Sequence, residues 1–432
     1  IPSALARHVA RRTAGRDVSV HVGPSRDELV ELIEQSDLVI DAILGTGFHG
    51  ELRPPFNIWI SALNETGASV ISVDVPSGLD SETGERAEAC VRADLTATML
   101  APKIGLYSGD GPEFAGELVC GELYDSLDEV IGEVDHAAEF VDPVDLVDFI
   151  EPLPGNIDKY SRGSVLVVAG SAMYPGAAMM AAKSAARAGA GYVTVAAPDS
   201  CANLIRLALP SIPVVAIPSD SRGSFGAAAR SVICEIAPKY DVVLCGPGMT
   251  TASGCMQVVS GLLESDETPE LLRRNGALIL TPHHRELSRL VAGDPVHDLR
   301  SAIEASQRIL WACGSDNMLV IAKGPTTAVV GVDKVLIPTA GPASLATAGS
   351  GDVLSGIIAG IVATAHAQSD AWPEFGAYAV TVHSYTGFAA AAEMGERSVI
   401  ATDLIDVIGQ ALQLVEDEAM HALTGLGAAA SK

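Results

Sequence analysis

The chain has 432 residues, 48% of them hydrophobic, so it is long enough to bury the cores of two or three domains. It contains no uninterrupted apolar run of membrane-spanning length, and its seven cysteines include no CxxC pair, which argues against a disulfide framework and a zinc site. With 54 acidic and 27 basic side chains the formal net charge is −27, which disfavours nucleic acid and anionic membranes as partners.

The first block of the chain, up to about residue 125, alternates short apolar runs with helical patterns. In its opening stretch, IPSALARHVARR, the basic residues follow the apolar ones, which is not the order of a signal peptide, so we expect a cytoplasmic protein. The runs SDLVIDAILGTG and GASVISVDVPSG each end at a glycine turn, as parallel strands do at their carboxyl ends. These runs predict a parallel sheet.

An acid- and proline-bearing stretch, residues 126–158, separates this block from a second one. We therefore predict a first domain over residues 1–135, a linker over 136–158 and a second domain over 159–428. The second block begins with the buried-strand pattern RGSVLVVAGS and an alanine-rich helix over 176–189. It continues with the strand patterns AGYVTVAAP, YDVVLCGPG, GALILTPHH and NMLVIAKGPTTAVV, and with long apolar helices near 353–367 and 375–393.

The stretch TAGSGDVLSG, residues 347–356, places Asp352 after a glycine turn and before an apolar run, Val353 to Ala367, that predicts a buried helix. Free backbone N–H groups and partial positive charge gather at a helix start. Asp352 is therefore either an N-cap residue or a carboxylate beside an anion-binding turn. Because open sheets bind ligands where strands meet loops, the segments AGS, GPG, TPHH and GSGD are expected on one rim.

Five motifs of the second block together carry a family resemblance. They are GSAMYPGAAMMAAKSAARAGAGYVTVAAP, GPG, LTPHHRE, KGPTT and ATAGSGDVLSGIIAG. In this order they resemble the ADP/ATP-dependent NAD(P)H-hydrate dehydratases of the ribokinase-like superfamily, over roughly residues 155–425. The resemblance implies hydrated NADH or NADPH as the substrate, with ADP or ATP and Mg²⁺ as cofactors.

The resemblance also implies roles for individual residues. Asp352 would be the catalytic acid–base residue and would also contact the substrate, and Gly351 would lie beside the nucleotide's phosphates. The other implied substrate contacts are Ala177, Gly248 and His283, and the implied nucleotide segment is Lys323, Gly324, Pro325, Thr326 and Thr327. Simpler structural roles stay open for these residues. Lys323 could be an ordinary hairpin lysine, and His283 could be a surface histidine. Ala177 and Gly248 could serve only close packing at a helix start. His284 stands where the family usually has proline, so either histidine ring could face the site.

The region between GPGM and LTPHH departs from the family pattern. The family usually has a strand there that ends in an Asp-Ala-Asp-like segment, and VVSGLLESDETPELLRRNGALIL is too short to contain it. We therefore expect that a sheet strand is missing or rebuilt within residues 249–280.

The first block resembles the NAD(P)H-hydrate epimerases, through DAILGTGFHGELRPPFNIWISALNETGASVISVDVPSGLDSETG and the following VRADLTATMLAPKIGLYSGDGPEFAGELVCGEL. The resemblance implies a substrate contact at Asp74, a phosphate cradle at Gly45, Thr46 and Gly47, and K⁺ ligands at Asp41 and Ser77. Alternatively, the GTG and PSG segments are ordinary turns, and Asp41 is a solvated acid at the end of a strand. The family's GNNGGDG stretch does not occur in the chain, so we expect an N-terminally truncated domain that does not epimerise.

The predicted fold class is α/β, with an incomplete Rossmann-like three-layer domain followed by a ribokinase-like three-layer domain. By resemblance, the predicted function is repair of hydrated NADH and NADPH. A ribokinase-like kinase for a vitamin or sugar alcohol is the alternative, since GxGD occurs there too, and a non-catalytic nucleotide-binding or scaffold protein is a third. We also expect a homo-oligomer. Abundant acids and only seven lysines are typical of a halophilic archaeon, with an ordinary acidic mesophile as the alternative.

Overall fold

The computed structural model describes residues 19–121, 138–150, 155–263, 278–292, 295–314, 317–365 and 371–429. The chain divides into two compact units, Ile1–Val130 and Ile131–Lys432. Among the described helices, none combines the length and the apolar character that crossing a membrane requires.

The N-terminal unit is built on a four-stranded parallel sheet of order β1-β2-β3-β4. Its elements are α1 (Arg26–Glu34), β1 (Val39–Asp41), α2 (Phe56–Thr66), β2 (Val70–Val73), β3 (Leu95–Met99), α3 (Gly111–Phe114) and β4 (Glu117–Gly121). Ser25 and Glu28 form a capping box that starts α1, and Gly67, at φ 64°, ends α2 in the left-handed region. The parallel arrangement brings the carboxyl ends of the strands to one edge of the sheet.

The C-terminal unit contains two sheets. Its strands are β5 (Ala138–Val141), β6 (Ser164–Val168), β7 (Tyr192–Pro198), β8 (Val214–Ile217), β9 (Val242–Cys245), β10 (Leu278–Leu280), β11 (Met318–Ala322), β12 (Ala328–Val330) and β13 (Val335–Pro338). One sheet, of order β8-β7-β6-β9, is wholly parallel. The other, of order β10-β11-β12-β13-β5, is mixed, because β11, β12 and β13 are joined as antiparallel neighbours.

Helices connect and cover these strands. They are α4 (Pro175–Arg187), α5 (Asp199–Ala208), α6 (Ala229–Ile236), α7 (Ser253–Leu263), α8 (His284–Leu290), α9 (Leu299–Cys313), α10 (Ser350–Thr364), α11 (Trp372–Met394) and α12 (Ala401–Ala429). Strands β6 and β11 are buried along their whole length, as strands covered on both faces are. A fully buried side chain such as Val165 or Ile321 stabilises the fold by about 1.5–3 kcal/mol relative to exposure.

Helices α4 and α10 approach each other so closely that glycine is required between them. A Cβ at Gly356 would lie 2.3 Å from the carbonyl oxygen of Ala181, and a Cβ at Gly360 would lie 2.5 Å from that of Ala185. Both distances are far shorter than a carbon–oxygen contact allows. The glycines of α10 therefore fix the position of this helix against the main chain of α4.

The predicted linker, residues 136–158, differs from what the structure shows. Residues Ala138–Val141 form β5, which pairs in parallel with β13, and Pro143–Phe149 form a 3₁₀ helix. The side chains of Val141 and Leu146 are buried in the largest core cluster of the unit. The described acids of this stretch are exposed while Val141 and Leu146 face the core, and this alternation made the stretch resemble a linker.

The shortened region, residues 249–280, is only partly covered by the structure. It contains α7 and β10, while residues 264–277 lie outside the described residues. Among the described strands, β9 pairs only with β6, and β10 pairs only with β11. The prediction of a missing or rebuilt strand therefore falls largely on residues 264–277, which the structure does not describe.

Candidate active site

Two predicted substrate residues, Ala177 and Gly248, meet at the ends of β6 and β9. The Ser171 hydroxyl donates a 2.9 Å hydrogen bond to the Gly248 carbonyl. Gly248 has φ 65°, and a Cβ there would lie 2.5 Å from the Tyr174 carbonyl oxygen and 2.9 Å from the Ala177 Cβ. Only glycine fits this left-handed, crowded position. The AGS and GPG loops thus form one surface with the start of α4.

The start of α10 is an open turn that carries Asp352. The helix begins after Gly349, whose φ is 96° and which supplies no side-chain cap. Asp352 is the third helical residue rather than the N-cap, and its N–H donates to the Gly349 carbonyl at 3.0 Å. Ser350 N–H donates to the Thr347 carbonyl at 3.2 Å, but the Gly351 N–H has no acceptor among the described residues. An unpaired donor at a helix start is a ready site for an anion.

Lys323 places a cation beside this turn. Its Nζ lies 3.3 Å from the position that a Cβ on Gly351 would occupy. Burial lowers the pKa of Lys323, and the carboxylates of Glu286 and Asp352 oppose that shift. Burial also raises the pKa of Asp352, while the Lys323 ammonium opposes that rise. In the described part of the chain, no hydrogen bond reaches the Asp352 carboxylate, which leaves it free to act on a ligand proton.

The segment Lys323–Thr327 is the tight hairpin turn between β11 and β12. The Lys323 N–H donates to the Pro282 carbonyl at 2.8 Å, which ties the turn to the TPHH segment. Within the turn Pro325 is exposed and Thr326 is buried. A Cβ at Gly324 would lie 2.7 Å from the Nε2 atom of His284, so the turn rests directly on that ring.

The two histidines of TPHH have different surroundings. The His283 side chain is half exposed and caps α8, since its Nδ1 accepts the Glu286 N–H at 3.2 Å. The His284 ring packs against the predicted nucleotide segment, and its buried Nε2 atom has no hydrogen-bond partner among the residues that the structure describes. Burial lowers the pKa of His284. The His284 ring therefore packs against the hairpin turn, whereas the His283 backbone pairs with Lys323 and its ring caps α8.

The two groups of predicted residues are neighbours through α4 and α10. A Cβ at Gly349 would lie 2.7 Å from the Met180 Cε. Met180 is three residues after Ala177 on α4, so both lie on one face of that helix. The Ala177–Gly248 surface and the Gly351–Asp352 turn therefore lie side by side at one rim, in the arrangement predicted for AGS, GPG, TPHH and GSGD.

In the N-terminal unit, Asp74 directly follows β2 and has φ 73°, a strained left-handed conformation. Its carboxylate accepts the Met99 N–H at 3.0 Å and forms an ion pair with the Lys103 ammonium. Burial works to raise the pKa of Asp74, but the hydrogen bonds from Lys103 and Met99 outweigh burial and hold that pKa below its ordinary value. Sequence analysis did not identify Lys103 as a site residue. Its signal was its rarity, as one of seven lysines.

Asp41 and Ser77 also come together, and both are buried. The Ser77 hydroxyl donates to Asp41 at 2.6 Å, and the Ser77 N–H and Ser72 hydroxyl donate at 2.8 and 2.9 Å. The alternative prediction that Asp41 is a solvated acid at a strand end is therefore wrong. Within the described residues it has no cationic side chain as a partner. A buried carboxylate is normally paired or metal-bound, and K⁺ takes oxygen ligands, so this pair fits a potassium ion.

The predicted phosphate turn, Gly45, Thr46 and Gly47, is exposed. The Ser77 hydroxyl accepts the N–H of Leu44 at 2.8 Å, and the Ser81 hydroxyl donates to the Thr46 carbonyl at 3.2 Å. A Cβ at Gly45 or Gly47 would meet nothing within 4 Å. The protein's own packing does not require either glycine, so their space is open to a ligand.

A further pair that sequence analysis missed lies behind the α10 turn. His383 of α11 is buried, and its Nε2 is 3.1 Å from the Ser350 hydroxyl oxygen. Burial lowers the pKa of His383 to about 4, and a hydrogen bond with the Ser350 backbone only partly offsets this effect. The ring is therefore neutral at physiological pH. A single polar residue within the apolar run VTVHSYTG was the available signal.

Open glycine turns with a titratable acid, at the ends of parallel strands, are typical of α/β enzymes that act on phosphorylated small molecules. A family model described as NAD(P)H-hydrate dehydratase matches residues 165–410, and one described as YjeF-related protein N-terminus matches residues 3–105. The bifunctional NAD(P)H-hydrate repair enzyme of Salinibacter ruber is 35% identical, over 86% of this chain and 71% of its own. That of Thermofilum pendens is 30% identical, over 94% of this chain and 78% of its own. The chain belongs to this family of bifunctional NAD(P)H-hydrate repair enzymes.

Solved structures agree with the fold of the C-terminal unit. The ADP/ATP-dependent NAD(P)H-hydrate dehydratase of Bacillus subtilis, co-crystallised with ATP and Mg²⁺, matches with a TM-score of 0.53 at 22% identity. That match covers 65% of this chain and 99% of the other. A hypothetical protein of Streptococcus mutans matches with a TM-score of 0.53 at 26% identity, over 64% and 99% of the two chains.

The comparisons confirm the predicted fold class and function. The C-terminal unit has the ribokinase-like fold, and the N-terminal unit is the Rossmann-like domain of the family. The chain carries a dehydratase, which is a lyase, and an epimerase, which is an isomerase. Repair of NAD(P)H hydrates is therefore favoured over the small-molecule kinase.

Proposed function

We propose that the C-terminal unit dehydrates the S-hydrate of NADH or NADPH, using ADP, with Asp352 as the acid–base residue. The observation that carries this proposal is the position of the Asp352 carboxylate, next to the unpaired Gly351 N–H and close to the Lys323 ammonium. Phosphoryl transfer to a hydroxyl needs a base, donors for the developing charge and a cation at one place. ATP is the alternative phosphoryl donor.

In the proposed reaction, Asp352 accepts the proton of the C6 hydroxyl while that oxygen attacks the terminal phosphorus of ADP. The bond to the bridging oxygen breaks and AMP leaves. The Gly351 N–H and the Lys323 ammonium stabilise the negative charge on the transferred group. The C6–oxygen bond then breaks and phosphate leaves, while the C5 proton passes to water, which restores the ring double bond.

The other predicted residues have supporting roles in this proposal. The surface formed by Ala177 and Gly248 receives the hydrate, and His283 orders the neighbouring backbone. The turn of Lys323, Gly324, Pro325, Thr326 and Thr327 contacts the nucleotide. Mg²⁺ would be held mainly by the nucleotide's own phosphates. Bound in this way, Mg²⁺ would neutralise part of their charge.

The test combines protein, Mg²⁺, S-hydrate and either ADP or ATP, and follows the absorbance of reduced nicotinamide. We expect reduced nicotinamide, phosphate and AMP (ADP when ATP is supplied) in equal amounts. Parallel reactions contain hydroxymethylpyrimidine, pyridoxal or ribose instead of the hydrate. A phosphorylated alcohol that accumulates there, without dehydration of the hydrate, would overturn the proposal in favour of the kinase.

For the N-terminal unit, we infer that Asp74 and Lys103 handle the proton in the interconversion of R- and S-hydrates, and that the Gly45–Gly47 turn binds phosphate. The ion pair of Asp74 and Lys103 after β2, and the open glycine turn after the neighbouring parallel strand β1, support this assignment. The test supplies the R-hydrate alone, with nucleotide and with a protein-free control for spontaneous epimerisation. Conversion above the control that is lost in Asp74→Ala supports the site. Conversion at the control rate supports the sequence-based expectation of inactivity.

Three further assignments belong to the same proposal. K⁺ binds at Asp41 and Ser77, where the buried carboxylate and hydroxyl provide oxygen ligands. The enzyme is a cytoplasmic homo-oligomer, which light scattering on the purified protein tests. The acidic surface is adapted to high salt, as expected for a halophilic source.

A further inference from the structure

His383 is a buried polar residue that the reaction proposed above does not use. It lies in the middle of α11, a helix whose other buried residues are mostly apolar or small. Its ring makes a hydrogen bond of 3.1 Å to the Ser350 hydroxyl, at the first residue of α10. The contact therefore joins the core of the unit to the turn that carries the anion-binding candidate.

The first turn of α10 needs such a contact because it has no cap of its own. Gly349, at the N-cap position, has no side chain to bond the free N–H groups. The Ser350 hydroxyl is directed to His383 of the neighbouring helix instead of to its own backbone. An exposed helix end without a cap frays. Here the tether to α11 holds the first turn in place while its N–H groups stay free.

The tether acts on the unpaired donor through the geometry of one peptide unit. The Gly351 N–H belongs to the same planar group as the Ser350 carbonyl, so fixing Ser350 also fixes the direction of that N–H. Packing supports Gly349 from another side, where a Cβ would lie 2.7 Å from the Met180 Cε and 2.9 Å from the Ala401 Cβ. Backbone hydrogen bonds from Ser350 to Thr347 and from Asp352 to Gly349 order the turn, and the His383 bond adds a side-chain contact that holds Ser350 in it.

We propose that His383 is a positioning residue that aims the Gly351 N–H at the nucleotide's phosphate by holding the Ser350 hydroxyl. The proposal deepens, and rests on, the assignment of the α10 start as the nucleotide site. The neutral ring does this without a second positive charge behind the Lys323 ammonium.

The test measures the affinity for ADP with Mg²⁺ by calorimetry in His383→Leu, Ser350→Ala and the double variant. We expect each single variant to weaken ADP binding about five- to tenfold, the size of one hydrogen bond. The double variant should be no weaker than either single one, because both substitutions remove the same contact. KM for ADP should rise with kcat nearly unchanged.

Three controls separate positioning from a general structural role. His383→Gln, whose amide nitrogen can reach Ser350, should restore ADP affinity. Thr386→Val removes a buried hydrogen bond within the same helix, from Thr386 to the Val382 carbonyl, and should leave ADP affinity unchanged. Affinity for the S-hydrate without nucleotide should also be unchanged in all variants.

The outcomes distinguish this inference from the proposed function. Wild-type protein that does not bind ADP would overturn the nucleotide site and this inference with it. Wild-type protein that binds ADP, with Ser350→Ala and His383→Leu binding equally well, would overturn the inference alone. Additive losses in the double variant, or weakening of hydrate binding to the same degree, would also overturn it. Ser350→Ala removes only one oxygen atom, so it keeps the test valid if His383→Leu fails to fold.

Discussion

Asp352 and Lys323 shift each other's ionisation in a way that suits acid–base chemistry. Burial raises the pKa of Asp352 and lowers the pKa of Lys323, and each charge partly offsets the effect of burial on the other. A carboxylate with a raised pKa is a stronger base, and it ionises in the presence of the neighbouring ammonium. Neither group is consumed by a structural hydrogen bond in the described part of the site. At the residue scale, the site is therefore defined by a carboxylate and an ammonium group that both remain available to a ligand.

Asp352→Asn should lower the rate of nucleotide-dependent dehydration about a hundred- to ten-thousand-fold, because the amide cannot accept the hydroxyl proton. Affinity for ADP with Mg²⁺ should stay the same or improve slightly, since a negative charge near the phosphates is removed. Initial rates and calorimetry measure the two quantities. Asp333→Asn, at an exposed acid of the β12–β13 hairpin, is the matched control and should behave as wild type. Turnover of Asp352→Asn at the wild-type rate would contradict the assignment.

Asp41 yields a second residue-scale prediction, on stability. If K⁺ binds this buried carboxylate, replacing Na⁺ by K⁺ at constant ionic strength should raise the melting temperature of the N-terminal unit. A ligand at about a hundred times its Kd stabilises the folded state by about 2.7 kcal/mol. Asp41→Asn should abolish the difference between the two salts, whereas Asp37→Asn, at an exposed acid just before β1, should preserve it. Equal melting temperatures of wild-type protein in KCl and NaCl would remove the potassium assignment.

At the scale of elements, the contact of α4 with α10 predicts opposite effects for two glycine substitutions. Gly356→Ala should destabilise the protein by about 1–3 kcal/mol, because its Cβ would lie 2.3 Å from the Ala181 carbonyl oxygen and force the helices apart. Gly409→Ala, in α12, meets nothing within 4 Å and should stabilise by about 0.4–1 kcal/mol through the lower entropy of the unfolded chain. Thermal unfolding followed by circular dichroism measures both. A neutral Gly356→Ala would show that the two helices can separate at no cost.

The elements also show what the sequence could reveal. Strand patterns and glycine turns predicted the parallel strands and the rim, because burial and left-handed backbone restrict residue types directly. The helix predicted from Val353 spans Ser350–Thr364 instead, since Gly349 sets its start before the apolar run. Local patterns did not reveal Lys103 or His383, because their partners are distant in the chain and depend on tertiary packing.

At the scale of the whole molecule, a net charge of −27 predicts dependence on salt. Repulsion among like charges opposes the compact state, and about 1 M salt reduces its range to about 3 Å. The melting temperature should therefore rise steadily with KCl from low to molar concentration, and ADP binding should improve in the same direction. Melting curves at several KCl concentrations, compared with NaCl to separate specific K⁺ binding, test this. A melting temperature independent of salt would contradict a salt-adapted surface.

The glycine contacts between α4 and α10 have a consequence for how the enzyme can evolve. Because backbone atoms touch where Gly356 and Gly360 meet α4, no side chain can be trimmed or enlarged to slide one helix along the other. The distance between the Ala177 surface and the Gly351 turn therefore cannot be changed by substituting side chains between the two helices. New substrates or phosphoryl donors have to be accommodated by changes in the loops around the rim rather than by a shift of these two helices.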